Sequence, residues 1–178
     1  SSQNYKEAAV AIILFVEKDE LHCILTERTV YDGKHSGQIS FPGGKKETTD
    51  PNFIYTSIRE TREEIGLELN DAQFIGQLTE VFIPVSNFRV FPNVFYVNQI
   101  SNFKMDKREV AEIFSFNIQQ LLLPEIIMTT DIQINRGVKL KNVPYFKIED
   151  KIVWGATALI LSEVKEIIQQ LKKEHPQA

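Results

Sequence analysis

The chain has 178 residues, of which 43% are hydrophobic and 25% charged, with a net charge of -4. This composition excludes disordered, collagenous and disulfide-scaffold proteins, and the length suits one domain over residues 1–178 whose core needs no staples. Lys plus Arg number 20 against 24 Asp plus Glu, so the basic excess expected of a nucleic-acid binder is missing, and a polyanionic ligand must be met by local cations or by a metal ion gathered on carboxylates.

Residues 8–16 and 21–26 are β-rich apolar runs joined by the charged stretch Glu17-Lys-Asp-Glu20, which predicts a hairpin. The first run is the longest apolar stretch and is far too short for a membrane span, so no membrane partner is expected. The opening Ser-Ser-Gln-Asn-Tyr-Lys lacks the basic-then-apolar layout of a signal peptide, which sets a cytoplasmic expectation. Cys23, the single cysteine, sits inside the second apolar run and reads as a buried, inert thiol. Residues 27–40 are polar and read as a long loop, punctuated by Phe41-Pro-Gly-Gly44 and continued over 45–52.

From residue 53 to 65 the period becomes helical, with Ile54, Ile58, Thr61 and Ile65 on one stripe and Gly66 ending the helix. Strands are predicted at 73–82, 89–97 and 112–116, followed by a short helix capped by Asn117 and ended by Pro124. Further extended segments fall at 144–148 and 151–154. Ala156, Leu159, Ile160, Val164, Ile167, Ile168 and Leu171 then mark a closing helix at i, i+3, i+4 spacing. Phe91, Phe95 and Tyr96 point to sheet packing, Trp154 to core packing at the entry of the last helix, and Arg89 and His35 to solvated surface groups. No repeat, low-complexity tract or linker interrupts the chain, so the reading is one α/β domain with a mixed sheet between helices.

The segment that carries chemistry is Gly44-Lys-Lys-Glu-Thr-Thr-Asp50 followed by Arg59-Glu-Thr-Arg-Glu-Glu-Ile-Gly-Leu67. On a helix Glu60, Glu63 and Glu64 share a face roughly opposite the Ile54/Ile58/Ile65 stripe, and Glu60 with Glu64 is a like-charge i, i+4 pair. Such crowding is tolerated when water screens it and useful when a divalent cation bridges it, since hard cations take carboxylate oxygens, water and phosphate. The Phe-Pro-Gly-Gly turn ahead of the helix lets backbone approach a ligand closely, while no Walker loop or dinucleotide glycine motif accompanies it.

At these residues the chain resembles the Nudix hydrolases, whose box reads G-x5-E-x7-R-E-U-x-E-E-x-G-U with U aliphatic. Arg59, Glu60, Glu63, Glu64, Gly66 and Leu67 match; Asp50 stands in place of a Glu, with one extra spacer residue before Arg59, and Thr61 in place of an aliphatic residue. Within that family it is similar to the coenzyme A pyrophosphatases. The runs that carry this likeness are Ile24-Leu-Thr-Glu-Arg-Thr29, Lys34-His-Ser-Gly-Gln-Ile-Ser-Phe-Pro-Gly-Gly44, residues 84–92, 109–114 and 152–157.

The resemblance implies a Nudix α/β/α sandwich and hydrolysis of the pyrophosphate of a small-molecule substrate, coenzyme A or an acyl-CoA, to 3′,5′-ADP and 4′-phosphopantetheine. It implies Mg²⁺ or Mn²⁺ held by Glu60, Glu63, Glu64 and the Gly44 carbonyl, with Arg59 orienting the glutamates. A later glutamate, Glu109 or Glu112, assists as ligand or base. Arg28 and Lys34, with Gly43 and Gly44, are the implied substrate contacts. The rival readings are hydrolysis of another diphosphate, such as ADP-ribose, NADH or a dinucleoside polyphosphate, and a non-catalytic binding module; a degenerate module should have lost box glutamates, and all three are present.

Overall fold

The computed structural model describes residues 5–30, 37–135 and 137–176, with the backbone alone at 135. Strands β1 (Lys6–Glu17) and β2 (Glu20–Arg28) form the expected hairpin, turning through Lys18 and Asp19 at positive φ. Where the sequence suggests only loop, two short strands appear, β3 (Ile39–Ser40) and β4 (Gly43–Lys45). Helix α1 (Phe53–Ile65) follows as predicted, with the Asn52 side chain accepting from the Tyr55 amide as its cap. The segment predicted as one strand over 73–82 is split into β5 (Phe74–Gln77) and β6 (Val81–Ile83). Then come β7 (Phe88–Tyr96) and β8 (Val110–Asn117), and a 3₁₀ turn over Ile118–Leu122 that Asn117 caps through Gln119. A second hairpin, β9 (Ile127–Asn135) and β10 (Val138–Ile148), was legible only in its last residues; β11 (Lys151–Val153) and α2 (Gly155–Glu174) close the fold.

Among the described residues, eight strands form the main mixed sheet, in the order β3-β2-β1-β7-β5, with β4 on β1, β6 on β7 and β8 on β2. The pair β1/β7 is parallel and its other pairs are antiparallel. The second sheet, β11-β10-β9, is antiparallel. Helix α1 covers one face over Ile13, Phe95 and Leu67, and α2 covers the other over Phe116, Leu25 and Ile148, which gives the α/β/α layering. Cys23 is buried as expected, and burial pushes its thiol up to about 12. Among the described residues no helix is long and apolar enough to cross a membrane.

Each helix buries only part of its apolar stripe and adds residues from outside it. In α1 the buried residues are Thr56, Ser57, Arg59, Thr61, Glu64 and Ile65, while Ile54 and Ile58 are only partly covered. The reason is polar stitching: the Ser57 hydroxyl donates to the Val10 carbonyl (3.1 Å), and the Asn93 amide donates to Ser57 Oγ (2.9 Å) and the Phe53 carbonyl (3.0 Å). These bonds rotate the carboxylate face towards the sheet. In α2 the stripe residues Ile160 and Ile168 are buried as expected, together with Thr157 and Leu161, while Leu159, Ile167 and Leu171 are exposed. Thr157 donates to the Ile39 carbonyl (3.0 Å) and Glu163 accepts from the Thr79 amide and hydroxyl, which fixes the helix across β3 and the β5–β6 connection.

Candidate active site

The entry to α1 is built around Asp50. Its carboxylate accepts from the Glu47 amide (2.9 Å), the Thr56 hydroxyl (2.9 Å), and Arg59 Nε (2.9 Å) and Nη2 (2.8 Å). The side chain is fully buried, and the fork-on-fork pairing with Arg59 holds its acid well below the usual carboxylate range. Asp50 is one methylene shorter than the Glu of the family box; the turn closed on Glu47 and the added spacer residue bring it onto Arg59. Arg59 spends its remaining donors on the Lys45 carbonyl (3.0 Å), Glu60 Oε1 (3.0 Å) and Glu63 Oε2 (3.1 Å). One guanidinium thus ties the loop, the helix start and two glutamates together.

The glutamates occupy different environments. Glu64 is buried, its Oε2 accepting from the Gly43 amide (3.2 Å). Burial pushes its acid up to about 8, with Glu60 and Glu109 adding repulsion, while the charge of Arg28 and the Gly43 N–H pull the other way. Glu60 is mostly covered and also raised, again chiefly by burial and against Arg59. Glu63 is half exposed. Among the described residues these groups do not stand together as a ready-made ion cage, and one oxygen of each is engaged, those of Glu60 and Glu63 by Arg59 and that of Glu64 by the Gly43 amide. Glu60 Oε2, Glu63 Oε1 and Glu64 Oε1 take no part in those bonds.

The two glycines of the Phe-Pro-Gly-Gly turn are required by close approach. A Cβ on Gly44 would lie 2.5 Å from the Glu60 carboxyl carbon, so its absence opens the space that carboxylate fills. A Cβ on Gly43 would meet the Ala9 carbonyl oxygen at 2.4 Å and Val10 Cα at 2.7 Å, both backbone. Gly43→Ala is therefore expected to destabilise the fold by roughly 1–3 kcal/mol or more, read as a lowered urea midpoint. Gly44→Ala should keep the midpoint near wild type and lower turnover, because only a flexible carboxylate must move; equal destabilisation by both would refute this division.

Glu109 reaches the site through its loop. The Lys104 amide donates to the Ile65 carbonyl (2.9 Å) and the Asp106 amide to the Glu64 carbonyl (2.8 Å), docking the loop on the end of α1. Glu109 then lines the same cleft as Glu60, Glu63 and Glu64. Glu112 does not: it accepts from Lys151 Nζ (2.6 Å), which also binds Glu27 (2.6 Å), its cross-strand neighbour. That cluster tethers β11 to the main sheet. Arg28 lines the cleft, whereas Lys34 and His35 lie outside the described residues. Arg89 pairs with Glu80 (2.6 Å) and lies over the Tyr5 and Phe91 rings.

The cleft has a volume of about 590 Å³, within the range usual for small-molecule sites. Part of its wall was not foreseen. Ile83, Val85 and Phe88 line it from the β6–β7 hairpin, and Trp154, half-buried ahead of α2, lines it rather than the core. Turn residues such as Pro84-Val-Ser-Asn87 carry no periodicity, so no secondary-structure signal marks this segment as part of a site.

The NUDIX domain model matches residues 5–134. This chain belongs to the Nudix family. It is 32% identical over 165 residues to an uncharacterized Nudix hydrolase, NudL, of Yersinia enterocolitica, covering 93% of this chain and 83% of that protein. The NudL of Salmonella newport is 30% identical, with 90% and 82% covered. A MutT/nudix family protein from Enterococcus faecalis superposes with a TM-score of 0.64 at 13% identity, covering 95% of this chain and 64% of that one. RenU, a Nudix hydrolase from M. smegmatis, gives 0.59 at 12% identity, covering 92% and 86%. As a Nudix hydrolase this protein is an enzyme acting on a nucleoside diphosphate derivative.

Nudix hydrolases generally use a divalent cation such as Mg²⁺ or Mn²⁺, and the donors here fit one. They are all hard oxygens, and the space beside Gly44 admits a carboxylate. Burial raises Glu60 and Glu64, and a cation bound beside them would favour their charged forms.

Proposed function

We propose that the enzyme hydrolyses the pyrophosphate of coenzyme A and short acyl-CoAs, giving 3′,5′-ADP and 4′-phosphopantetheine. The observation that carries this reading is that Arg28, from the Thr-Glu-Arg run, lines one cleft together with Phe41, Gly43, Gly44 and the α1 glutamates. Those are the segments in which the sequence is similar to coenzyme A pyrophosphatases.

In this reading Glu60, Glu63 and Glu64 hold the cation, with the Gly44 carbonyl completing the set. A bound Mg²⁺ or Mn²⁺ supplies neutralisation of phosphate oxygens and a lowered pKa for water. Arg59 keeps Glu60 and Glu63 in place, anchored by Asp50. Glu109 accepts the proton of the attacking water at its carboxylate. The water oxygen bonds to one phosphorus while that phosphorus loses its bond to the bridging oxygen, and the two products separate. Arg28 and Lys34 bind phosphate oxygens of the substrate.

The test is a hydrolysis panel of coenzyme A, acetyl-CoA, ADP-ribose, NADH and diadenosine polyphosphates, with products identified by mass. Coenzyme A should lead; a tenfold preference for ADP-ribose or NADH would reject the assignment, and no cleavage with either metal would favour a binding module. Arg28→Ala should reduce kcat/KM for coenzyme A about tenfold more than for dephospho-coenzyme A, which lacks the 3′-phosphate. Equal losses would place Arg28 on the pyrophosphate.

A further inference from the structure

The cleft is divided by charge. Its ionisable lining comes from residues 28–64 and from Glu109, whereas the stretch from Ile83 to Val90 contributes Ile83, Val85, Ser86, Phe88 and Val90, none of them charged. Topology puts the two parts on opposite sides of the glutamates. On one edge of β1, Leu14 to Glu17 pair with β2, and β4 occupies that edge at Ala8–Val10. On the other edge lies β7, and β6 pairs beyond it, with Ile83 facing Phe88. The order at this level runs from Arg28 on β2, through Gly43 and Gly44 on β4, to β1, β7 and β6. Glu64 and Glu60 rest on Gly43 and Gly44, between Arg28 and the apolar hairpin.

We infer that the β6–β7 hairpin, through Ile83, Val85 and Phe88, binds the uncharged amide-and-alkyl arm of the substrate, so that the diphosphate lies over the α1 glutamates and the phosphate-bearing nucleoside points towards Arg28. The inference rests on the coenzyme A reading and adds an orientation to it. Alternation along β6 supports it: Phe82 turns away to pack on the Tyr5 ring (5.3 Å), which leaves Ile83 for the cleft. Val85 is 65% exposed while lining the site, so its apolar surface is open to a ligand. The chemistry of the wall suits an alkyl chain rather than a base. Its residues are mostly β-branched aliphatics, and its one aromatic ring, Phe88, carries the Lys6 ammonium over it at 5.6 Å.

The two products serve as probes, because each represents one half of the substrate. In the full-length enzyme with Mg²⁺, inhibition constants for 4′-phosphopantetheine and 3′,5′-ADP are measured for wild type, Val85→Ser, Val85→Leu and Arg28→Ala. Val85→Ser should raise the constant for 4′-phosphopantetheine about tenfold and leave that for 3′,5′-ADP within twofold. Val85→Leu should leave both near wild type, and Arg28→Ala should weaken 3′,5′-ADP instead. If wild type hydrolyses coenzyme A but Val85→Ser weakens 3′,5′-ADP, both products equally, or neither, the orientation is overturned while the substrate assignment stands. If wild type does not hydrolyse coenzyme A, the substrate assignment fails first and this orientation with it.

Discussion

Glu64→Gln should lower turnover by about 10²–10³-fold, the effect usual for removing one charge-stabilising group from a closed site, with the fold intact. Glutamine keeps the shape and still offers an oxygen to the Gly43 amide, so only the negative charge is lost. The same variant carries a signature in stability that does not depend on assay of activity. In chelator the folded-state pKa of Glu64 is raised from 4.5 to about 8, so the folded protein holds a proton that the unfolded chain releases. The stability this gives is fully present below the unfolded value and is lost as pH rises through about 8. At about 1.4 kcal/mol per pH unit, the loss is a few kcal/mol. Wild type in chelator should therefore melt lower at pH 9 than at pH 5.5 by differential scanning fluorimetry, and Glu64→Gln should show less of that fall. Excess Mg²⁺ should restore the wild-type melting temperature at high pH, because a cation favours the charged carboxylate. Full turnover in Glu64→Gln, or pH curves that superpose in chelator, would remove Glu64 from the site.

Arg59→Met should destabilise the protein by about 3–5 kcal/mol, the usual consequence of leaving one member of a buried ion pair alone. The stranded group is Asp50, whose side chain is fully buried and takes two of its four bonds from Arg59. Because Asp50 is held below its ordinary 3.8 in the folded state, its contribution is present above that value and is lost as pH falls through the folded pKa. Arg59→Met should accordingly lose stability less steeply in acid than wild type does. Combining it with Asp50→Leu should recover much of the urea midpoint, since no charge is then buried unpaired. Turnover should stay low in the double variant, because Glu60 and Glu63 have lost the guanidinium that holds them. A midpoint for Arg59→Met within 1 kcal/mol of wild type would mean that Asp50 finds other donors, and recovery of turnover in the double variant would mean that Arg59 does not position the glutamates.

What the sequence determined by itself was local or carried by a motif. Apolar runs joined by a charged turn marked the β1–β2 hairpin, 3.6-residue periodicity ended by Gly66 marked α1, and Asn117 marked the turn it caps. The Arg59-Glu60 and Glu63-Glu64 spacing, with the Phe-Pro-Gly-Gly turn before it, was enough to name the family. Those signals depend on residues within a few positions of one another, which is why one dimension suffices for them. The tertiary structure decided the rest. Ser57 and Asn93 lie 36 positions apart, yet their bond turns the carboxylate face of α1 inward and so sets the burial of Glu64. Lys151 reaches 39 positions back to Glu112, leaving Glu109 as the later glutamate in the cleft, a choice that strand spacing left open. The β9 strand and the apolar wall at Val85 were likewise hidden. β9 is fixed by its pairing with β10, and Val85 reaches the cleft only when β6 pairs with β7.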